Sequence, residues 1–201
     1  MFKIGITGPS GAGKGAVSDY FRLKGVNVFD ADAVYHKIIT PPSACLDELA
    51  KNFGVAILNE SGYLNRAALA KLVFGEENKT KLLLLNSITH KYVIDYIDNA
   101  ISELNKNGVK ICAVDAPLLI ESGISDTCDL IISVLADKNL RIQRIMERDS
   151  IDFTAASRRT DSQKSDDFYL KASNISITTE GNIAELHQKL ENILIERGIV
   201  I

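Results

Sequence analysis

The residues from Gly8 to Lys14 have the spacing of a phosphate-binding loop. They form the G-x-x-x-x-G-K pattern, with an apolar stretch before them and a helical pattern after them. A loop that wraps a polyphosphate turns its backbone N–H groups inward, which requires dihedral angles that glycine reaches without strain. With Lys14 supplying a positive charge, the residues predicted to bind the phosphates of ATP are Gly8, Pro9, Ser10, Gly11, Ala12, Gly13, Lys14, Gly15 and Ala16.

One position of this loop departs from the complete pattern. The lysine is ordinarily followed by Ser or Thr, whose hydroxyl binds the Mg²⁺ of Mg-ATP, whereas this chain has Gly15 and then Ala16. The nearest hydroxyl downstream is that of Ser18, about one helical turn further on. A water molecule could fill the space beside Gly15, since Mg²⁺ commonly keeps several waters. We therefore expect the phosphate site to be kept and the affinity for Mg²⁺ to change.

Two carboxylates, Asp30 and Asp32, follow the second apolar stretch, Val26 to Phe29. Ligands of open α/β sheets bind at the carboxyl ends of the strands, so both are expected near the phosphate loop. Both could simply cap the next helix, but residues one apart project in different directions. We assign Asp30 as the N-cap and Asp32 as the base toward an acceptor hydroxyl, in direct or water-mediated contact with Mg²⁺.

A further carboxylate, Asp115, follows the clearest pattern of a buried strand in the chain, Val109 to Val114. An apolar strand that ends in Asp, in a chain with a phosphate loop, is typical of an acid beside the metal ion of a nucleotide. Asp115 is therefore a second, weaker candidate for Mg²⁺ binding.

Arginine is concentrated between residues 141 and 159. Arg141, Arg144 and Arg148 recur at helical spacing on one face. They could form a solvated basic face paired with neighbouring acids such as Asp149. Guanidinium groups also neutralise a transferring phosphoryl group, and a closing segment excludes water. We therefore interpret residues 137–171 as a lid over ATP.

The composition is that of an ordinary globular domain, with 201 residues, 46% hydrophobic and 24% charged. A formal charge of −3 gives no general attraction to nucleic acid or to an anionic membrane. The first residues show no targeting segment, and the three cysteines lack C-x-x-C spacing. We expect a cytoplasmic protein without nucleic-acid or membrane partners, present as a monomer or a small homo-oligomer.

Strand patterns that alternate with helical patterns predict an α/β protein with a P-loop three-layer fold and a parallel sheet. The stretch between the second and third strands is helical and longer than a crossover requires, which indicates an inserted lobe that binds the acceptor. The predicted parts of this single domain are a core of residues 1–39, 109–136 and 172–201, an inserted helical lobe of residues 40–108, and an arginine-bearing helical lid of residues 137–171.

The ordered set of motifs resembles the dephospho-coenzyme A kinases, a family of P-loop kinases, over nearly the whole chain. The resemblance rests on the Lys14 loop, the Asp30-Ala31-Asp32 step and the segment Asp115 to Glu121. Further matches to the family's motifs are Asn65 to Leu69 with Val73-Phe74, His90, Arg144, Arg148-Asp149, and Arg159 with Ser162-Gln163.

The resemblance implies transfer of the γ-phosphoryl group of ATP, with Mg²⁺, to the ribose 3′-hydroxyl of dephospho-CoA, the last step of CoA synthesis. By similarity, Asp32 accepts or orients the hydroxyl proton, Lys14 and Arg144 hold the transferring phosphates, and Arg148 contacts ATP. The residues that the resemblance assigns to the acceptor are Asp32, Arg66, His90, Pro117, Leu118 and Arg159.

Two other interpretations stay open at the level of sequence. A P-loop kinase for another small hydroxylated or nucleotide acceptor would share the loop, the acid and the arginines. A nucleotide-binding protein impaired in catalysis is the other interpretation, favoured by Gly15 and by departures from the family pattern. Those departures are His36 in place of a frequent Arg, Lys91 in place of the usual Pro, and the segment Ser173 to Gly181. The retained acids and arginines favour an active enzyme.

Overall fold

A computed structural model describes all 201 residues apart from the side chain of Glu76. The described strands form one sheet in the order β2-β3-β1-β4-β5. Strand β1 pairs in parallel with β3 and β4, and β4 pairs in parallel with β5. The predicted parallel α/β fold is thereby confirmed. The strands are β1 (Phe2–Thr7), β2 (Asn27–Asp30), β3 (Ile111–Asp115), β4 (Leu130–Leu135) and β5 (Ile175–Thr178).

Helices connect the strands and build the long insertion after β2. They are α1 (Lys14–Leu23), α2 (Ala31–Ile38), α3 (Ala44–Phe53), α4 (Arg66–Val73), α5 (Lys79–Lys106), α6 (Lys138–Asp149), α7 (Phe153–Asp161), α8 (Asp166–Ala172) and α9 (Ile183–Glu196). None of the helices in the described part of the chain has the length and apolar character that crossing a bilayer requires.

Strand β1 lies at the centre of the sheet and is buried on both faces. Ile4 and Ile6 are fully buried on one face, and Gly5 and Thr7 are buried on the other, as a strand covered by helices on both sides requires. The register places Ile6 opposite Asp115 and Thr7 opposite Ser133, so the carboxyl ends of β1, β3 and β4 lie at one edge of the sheet. This edge carries the loop that follows Thr7.

The contacts within the chain define two compact units, Met1–Phe29 with Gly108–Ile201, and Asp30–Asn107. The first contains nearly all of the sheet, the phosphate loop and the segment 137–171. The second is helical and includes α2, which the sequence assigned to the core. The division into core, acceptor lobe and lid stays a prediction.

The helical unit has a core of its own, formed where α2, α3 and α4 pack against the long helix α5. Leu49, Ile57 and Ile88 are almost completely buried there. Tyr92 on α5 donates a hydrogen bond to Glu48 of α3 at 2.8 Å, which raises the pKa of Tyr92 to about 12. These contacts fix the helices that carry the predicted acceptor residues.

Candidate active site

The phosphate loop joins the carboxyl end of β1 to the start of α1. Gly13 precedes the helix with left-handed dihedral angles, and no side chain in the described residues caps this helix start. The first N–H groups of a helix have no intrahelical acceptor, and they carry the positive end of the helix dipole. The start of α1 is therefore suited to bind an anion.

Gly8 and Gly13 are among the loop glycines that positive φ angles and close neighbours require. Gly8 has φ of +142°, and a Cβ there would overlap the carbonyl oxygen of Val134 at the end of β4. Gly13 has φ of +90°, and a Cβ would lie 2.9 Å from Thr179 Oγ1. The loop therefore packs closely against the carboxyl ends of β4 and β5. Gly15 differs, because a Cβ there would meet nothing within 4 Å.

The backbone carbonyls of Gly8 to Gly13 all accept hydrogen bonds from protein donors. In a planar trans peptide the carbonyl and the next residue's N–H point in opposite directions, so hydrogen bonds to the carbonyls help to orient the loop. Three of the donors belong to the loop and the start of α1, and the other three come from distant segments. The donors are Lys14 Nζ for Gly8 (2.8 Å), Ala12 N for Pro9 (3.2 Å), Arg141 Nε for Ser10 (3.1 Å), Arg144 Nη1 for Gly11 (3.2 Å), Thr179 Oγ1 for Ala12 (2.6 Å) and Ala16 N for Gly13 (3.1 Å).

Lys14 and Arg144 place two positive charges on this loop. The Lys14 ammonium donates to the carbonyls of Gly8 and Pro9, at 2.8 and 3.3 Å. Its positive charge therefore lies beside the phosphate loop, as the sequence predicted. Arg144 binds Gly11 and also donates to the hydroxyl and the carbonyl of Thr179, both at 2.7 Å. The sequence-predicted loop, lysine and arginine thus come together in one unit of the structure.

Ser18 and Asp115 form a hydrogen-bonded pair that joins α1 to the end of β3. The Ser18 hydroxyl, which is fully buried, donates to Asp115 Oδ2 at 2.6 Å. Ser18 lies one turn into α1, whereas Asp115 ends β3. The hydroxyl nearest to Gly15 along the helix is therefore directed at the carboxylate that the sequence singled out as a metal candidate.

Arg148 and Arg159 both bind Asp149. Arg148 makes a bidentate pair with this carboxylate, at 2.8 and 2.9 Å, and Arg159 donates to one of the same oxygens. The hydrogen bonds from Arg148, with the added charge of Arg159, lower the pKa of Asp149. A lowered pKa means that the stability contributed by this pairing is fully present above the ordinary carboxyl pKa of about 4 and is lost as the pH falls through the lowered pKa of the folded state. Arg148 also donates to the Ser10 hydroxyl at 3.2 Å.

Pro117 and Leu118 follow β3 at the same edge of the sheet. The Thr7 hydroxyl, which immediately precedes the phosphate loop, lies 3.4 Å from the Pro117 carbonyl, to which it donates. Leu118 is 47% exposed. The segment predicted to contact the acceptor therefore adjoins the loop through Thr7, and its leucine faces solvent.

The helical unit carries Asp32, Arg66 and His90. Asp30 caps α2 by accepting hydrogen bonds from the N–H groups of Asp32 and Ala33, at 2.9 and 3.1 Å, as the sequence indicated. This leaves the exposed carboxylate of Asp32 outside the cap. Arg66, the first residue of α4, lies 2.6 Å from His36 Nδ1 through its Nη2, while His90 is partly buried on α5.

Comparison with known proteins identifies the family of the chain. A family model described as dephospho-CoA kinase matches residues 2–185. The chain belongs to the dephospho-CoA kinase family. It is 38% identical over 189 residues to a dephospho-CoA kinase of Fusobacterium nucleatum, with 94% of either chain covered. Family membership identifies the chain as a kinase with ATP as its donor.

Two solved structures have the same fold. A crystal structure of a Thermus thermophilus protein superposes with a TM-score of 0.79 at 27% identity, over 97% of both chains. A dephospho-CoA kinase of Campylobacter jejuni superposes with a TM-score of 0.68 at 26% identity, over 96% of both chains. The P-loop kinase fold predicted from the sequence is thereby confirmed.

Four residues make contacts at this dephospho-CoA kinase site that the sequence alone did not predict: Ser18, Arg141, Gln163 and Thr179. Thr179 follows β5, so its position at the carboxyl edge of a parallel sheet was an available signal. The others are recognised only by their contacts with Asp115 and with Ser10.

Replacing Gly8 by Ala is expected to lower the free energy of unfolding by about 3 kcal/mol. The new Cβ would combine overpacking, about 1–3 kcal/mol, with a left-handed angle that costs about 1–2 kcal/mol. Gly15→Ala is the matched control, because its site is open and helical, and it should raise stability by about 0.5–1 kcal/mol. Denaturant unfolding measures both changes. Equal changes at the two positions would contradict the packing that the structure gives Gly8.

Proposed function

We propose that the protein transfers the γ-phosphoryl group of ATP to the 3′-hydroxyl of the ribose of dephospho-CoA, giving CoA and ADP as the last step of CoA synthesis. The observation that supports the reaction most directly is the phosphate loop, in which every carbonyl from Gly8 to Gly13 accepts a hydrogen bond from a protein donor. Family membership supports the choice of acceptor. We further propose a cytoplasmic enzyme that is a monomer or a small homo-oligomer.

On the donor side, the loop amides and the start of α1 would hold the phosphates, and Lys14 would neutralise charge on the phosphoryl group that moves. Arg144 is anchored on the loop, so its charge is fixed close to the phosphates without reordering during the reaction. Arg148, tied to Ser10 and Asp149, would contact ATP from the segment 137–171. We propose that this segment acts as a lid that excludes water.

On the acceptor side, Asp32 would accept the proton of the ribose hydroxyl as it attacks the γ-phosphorus. Because Asp30 alone forms the cap of α2, the carboxylate of Asp32 is not needed for holding the helix. The proposed contacts with dephospho-CoA are made by Arg66, His90, Pro117, Leu118 and Arg159.

Mg²⁺ is the proposed counter-ion of the phosphates. The described residues contain no group of three His, Cys, Asp or Glu side chains able to hold a metal by themselves. This fits an ion that binds mainly through ATP and water and takes one or two carboxylates from the protein. Asp115, oriented by Ser18, and Asp32 are the proposed carboxylates. Bound Mg²⁺ would neutralise charge on the phosphate oxygens.

An assay of ADP release tests this function, with dephospho-CoA, AMP and shikimate offered as acceptors in parallel. Turnover with dephospho-CoA alone, dependent on added Mg²⁺, is expected, and mass spectrometry should identify CoA as the product. Activity only with AMP or shikimate would contradict the proposed acceptor. ATP binding without turnover of any acceptor would contradict the proposal that the chain is an active kinase.

A further inference from the structure

Every polar group of Ser10 is bound by a side chain from the segment 137–171. Its N–H donates to Gln163 Oε1 at 3.1 Å, and its carbonyl accepts from Arg141 Nε at 3.1 Å. Its hydroxyl accepts from Arg148 Nη2 at 3.2 Å. Ser10 is the third residue of the phosphate loop, so these bonds tie the segment 137–171 to the loop itself.

Arg141 and Gln163 also bind each other. Arg141 Nη2 donates to Gln163 Oε1 at 2.7 Å, so the Ser10 backbone and the two side chains close a ring of hydrogen bonds. The Arg141 side chain is only 7% exposed, with Asp166 as a nearby acid at 3.7 Å. A buried guanidinium is costly unless its N–H groups are bound, and here two of its bonds hold the ring together.

We propose that Arg141 and Gln163 are positioning residues that hold the phosphate loop in the conformation that binds ATP. Arg141 belongs to α6, and Gln163 lies in the turn between α7 and α8, so the ring connects the loop to both sides of the segment 137–171. Because the N–H and the carbonyl of Ser10 are both held, the orientation of the peptide groups that follow Ser10 in the phosphate loop is restricted. Without the ring, ATP would have to order the loop on binding, which lowers affinity.

Gln163→Leu is the direct test, since leucine keeps the approximate size and removes both hydrogen bonds. We expect the Kd of ATP, measured by isothermal titration calorimetry in the absence of acceptor, to rise about tenfold. The KM of ATP should rise more than kcat falls. Gln163→Glu retains an acceptor oxygen for both donors, so its Kd should lie closer to that of the wild type than to that of the leucine variant.

Gln143→Leu on α6 is the matched control, because Gln143 is exposed and binds only Glu147 in the contacts seen for its side chain. It should leave the Kd of ATP unchanged. An unchanged Kd in Gln163→Leu would overturn the proposal, as would equal losses in the leucine and glutamate variants. A role in overall stability alone would lower the unfolding temperature without separating these two variants in affinity.

Two further measurements apply if Gln163→Leu folds poorly. Arg141→Lys keeps a charge that can reach one acceptor at a time, and it should also raise the Kd of ATP. Hydrogen exchange of the Ser10 amide in the wild type should be slow without nucleotide; fast exchange would overturn the ring. The inference rests on the proposed function only in taking ATP as the ligand. If the protein does not turn over dephospho-CoA, the ATP-binding results can still be interpreted. If the wild type and the Gln163 variants bind ATP with equal affinity, the positioning role is wrong and the proposed kinase activity is not contradicted.

Discussion

Replacing Asp32 by Asn is expected to lower kcat by about 10²–10⁴-fold, the usual contribution of a positioned general base. Asn has nearly the same shape, but its amide cannot accept the proton of the ribose hydroxyl. The Kd of ATP measured without Mg²⁺ should change little, since the loop that binds the phosphates is unaltered. Steady-state kinetics with dephospho-CoA, together with calorimetric ATP binding, measures both quantities.

Asp30→Asn is the control for this change. Asn caps helices about as well as Asp, so α2 should keep its start and the enzyme its rate. The two variants remove one negative charge each, from carboxylates that are separated by a single residue. A kcat in Asp32→Asn within a few-fold of the wild type would contradict the role as base. A loss of equal size in both variants would indicate that the start of α2, not the single carboxylate, matters for catalysis.

Replacing Lys14 by Met is expected to lower kcat/KM by about 10²–10³-fold, because a fixed positive charge at the transferring phosphoryl group is lost. Methionine keeps a long unbranched side chain. The folded state should lose only about 0.5–1.5 kcal/mol, the net contribution of the hydrogen bond to Gly8. Kinetics and denaturant unfolding on the same preparation separate these effects.

Lys24→Met is the control, at the other end of the same helix. Lys24 pairs with Glu191 at 2.7 Å on the surface, so its loss should leave kcat/KM unchanged and alter stability slightly. If Lys14→Met retained nearly the activity of the wild type, the phosphate loop would not be the site of transfer. If both variants lost activity equally, a general effect on α1 would explain the result.

Much of the fold follows from local patterns. The strand Ile111–Asp115 is apolar up to Val114 and ends in an acid. A continuous apolar stretch is typical of a buried strand in a parallel sheet. The helix Lys79–Lys106 follows from the helical spacing seen from Leu82 to Leu104. Asp30 as the cap of α2 was also predictable, because Asp before an apolar helical pattern is a strong N-cap.

The grouping of elements was harder to predict. Helix α2 lies within residues 1–39, which the sequence assigned to the core, and in the structure it packs with α5 in the helical unit. An amphipathic helix of eight residues can bury its apolar face against either neighbour, and sequence spacing does not choose between them. The apolar surface that α2 packs against is decided by the tertiary fold.

The sequence by itself determined the phosphate loop, the charge of Lys14 and the parallel sheet, because glycine spacing, a strand before it and a helix after it are local properties. Only the tertiary structure decided how that loop is held. Thr179, Arg141 and Gln163 come from segments more than a hundred residues away, and they bind its carbonyls and the Ser10 amide. The physical reason is that a peptide group turned toward a ligand leaves its carbonyl pointing away, and the donor for that carbonyl can come from any part of the chain that folding brings near.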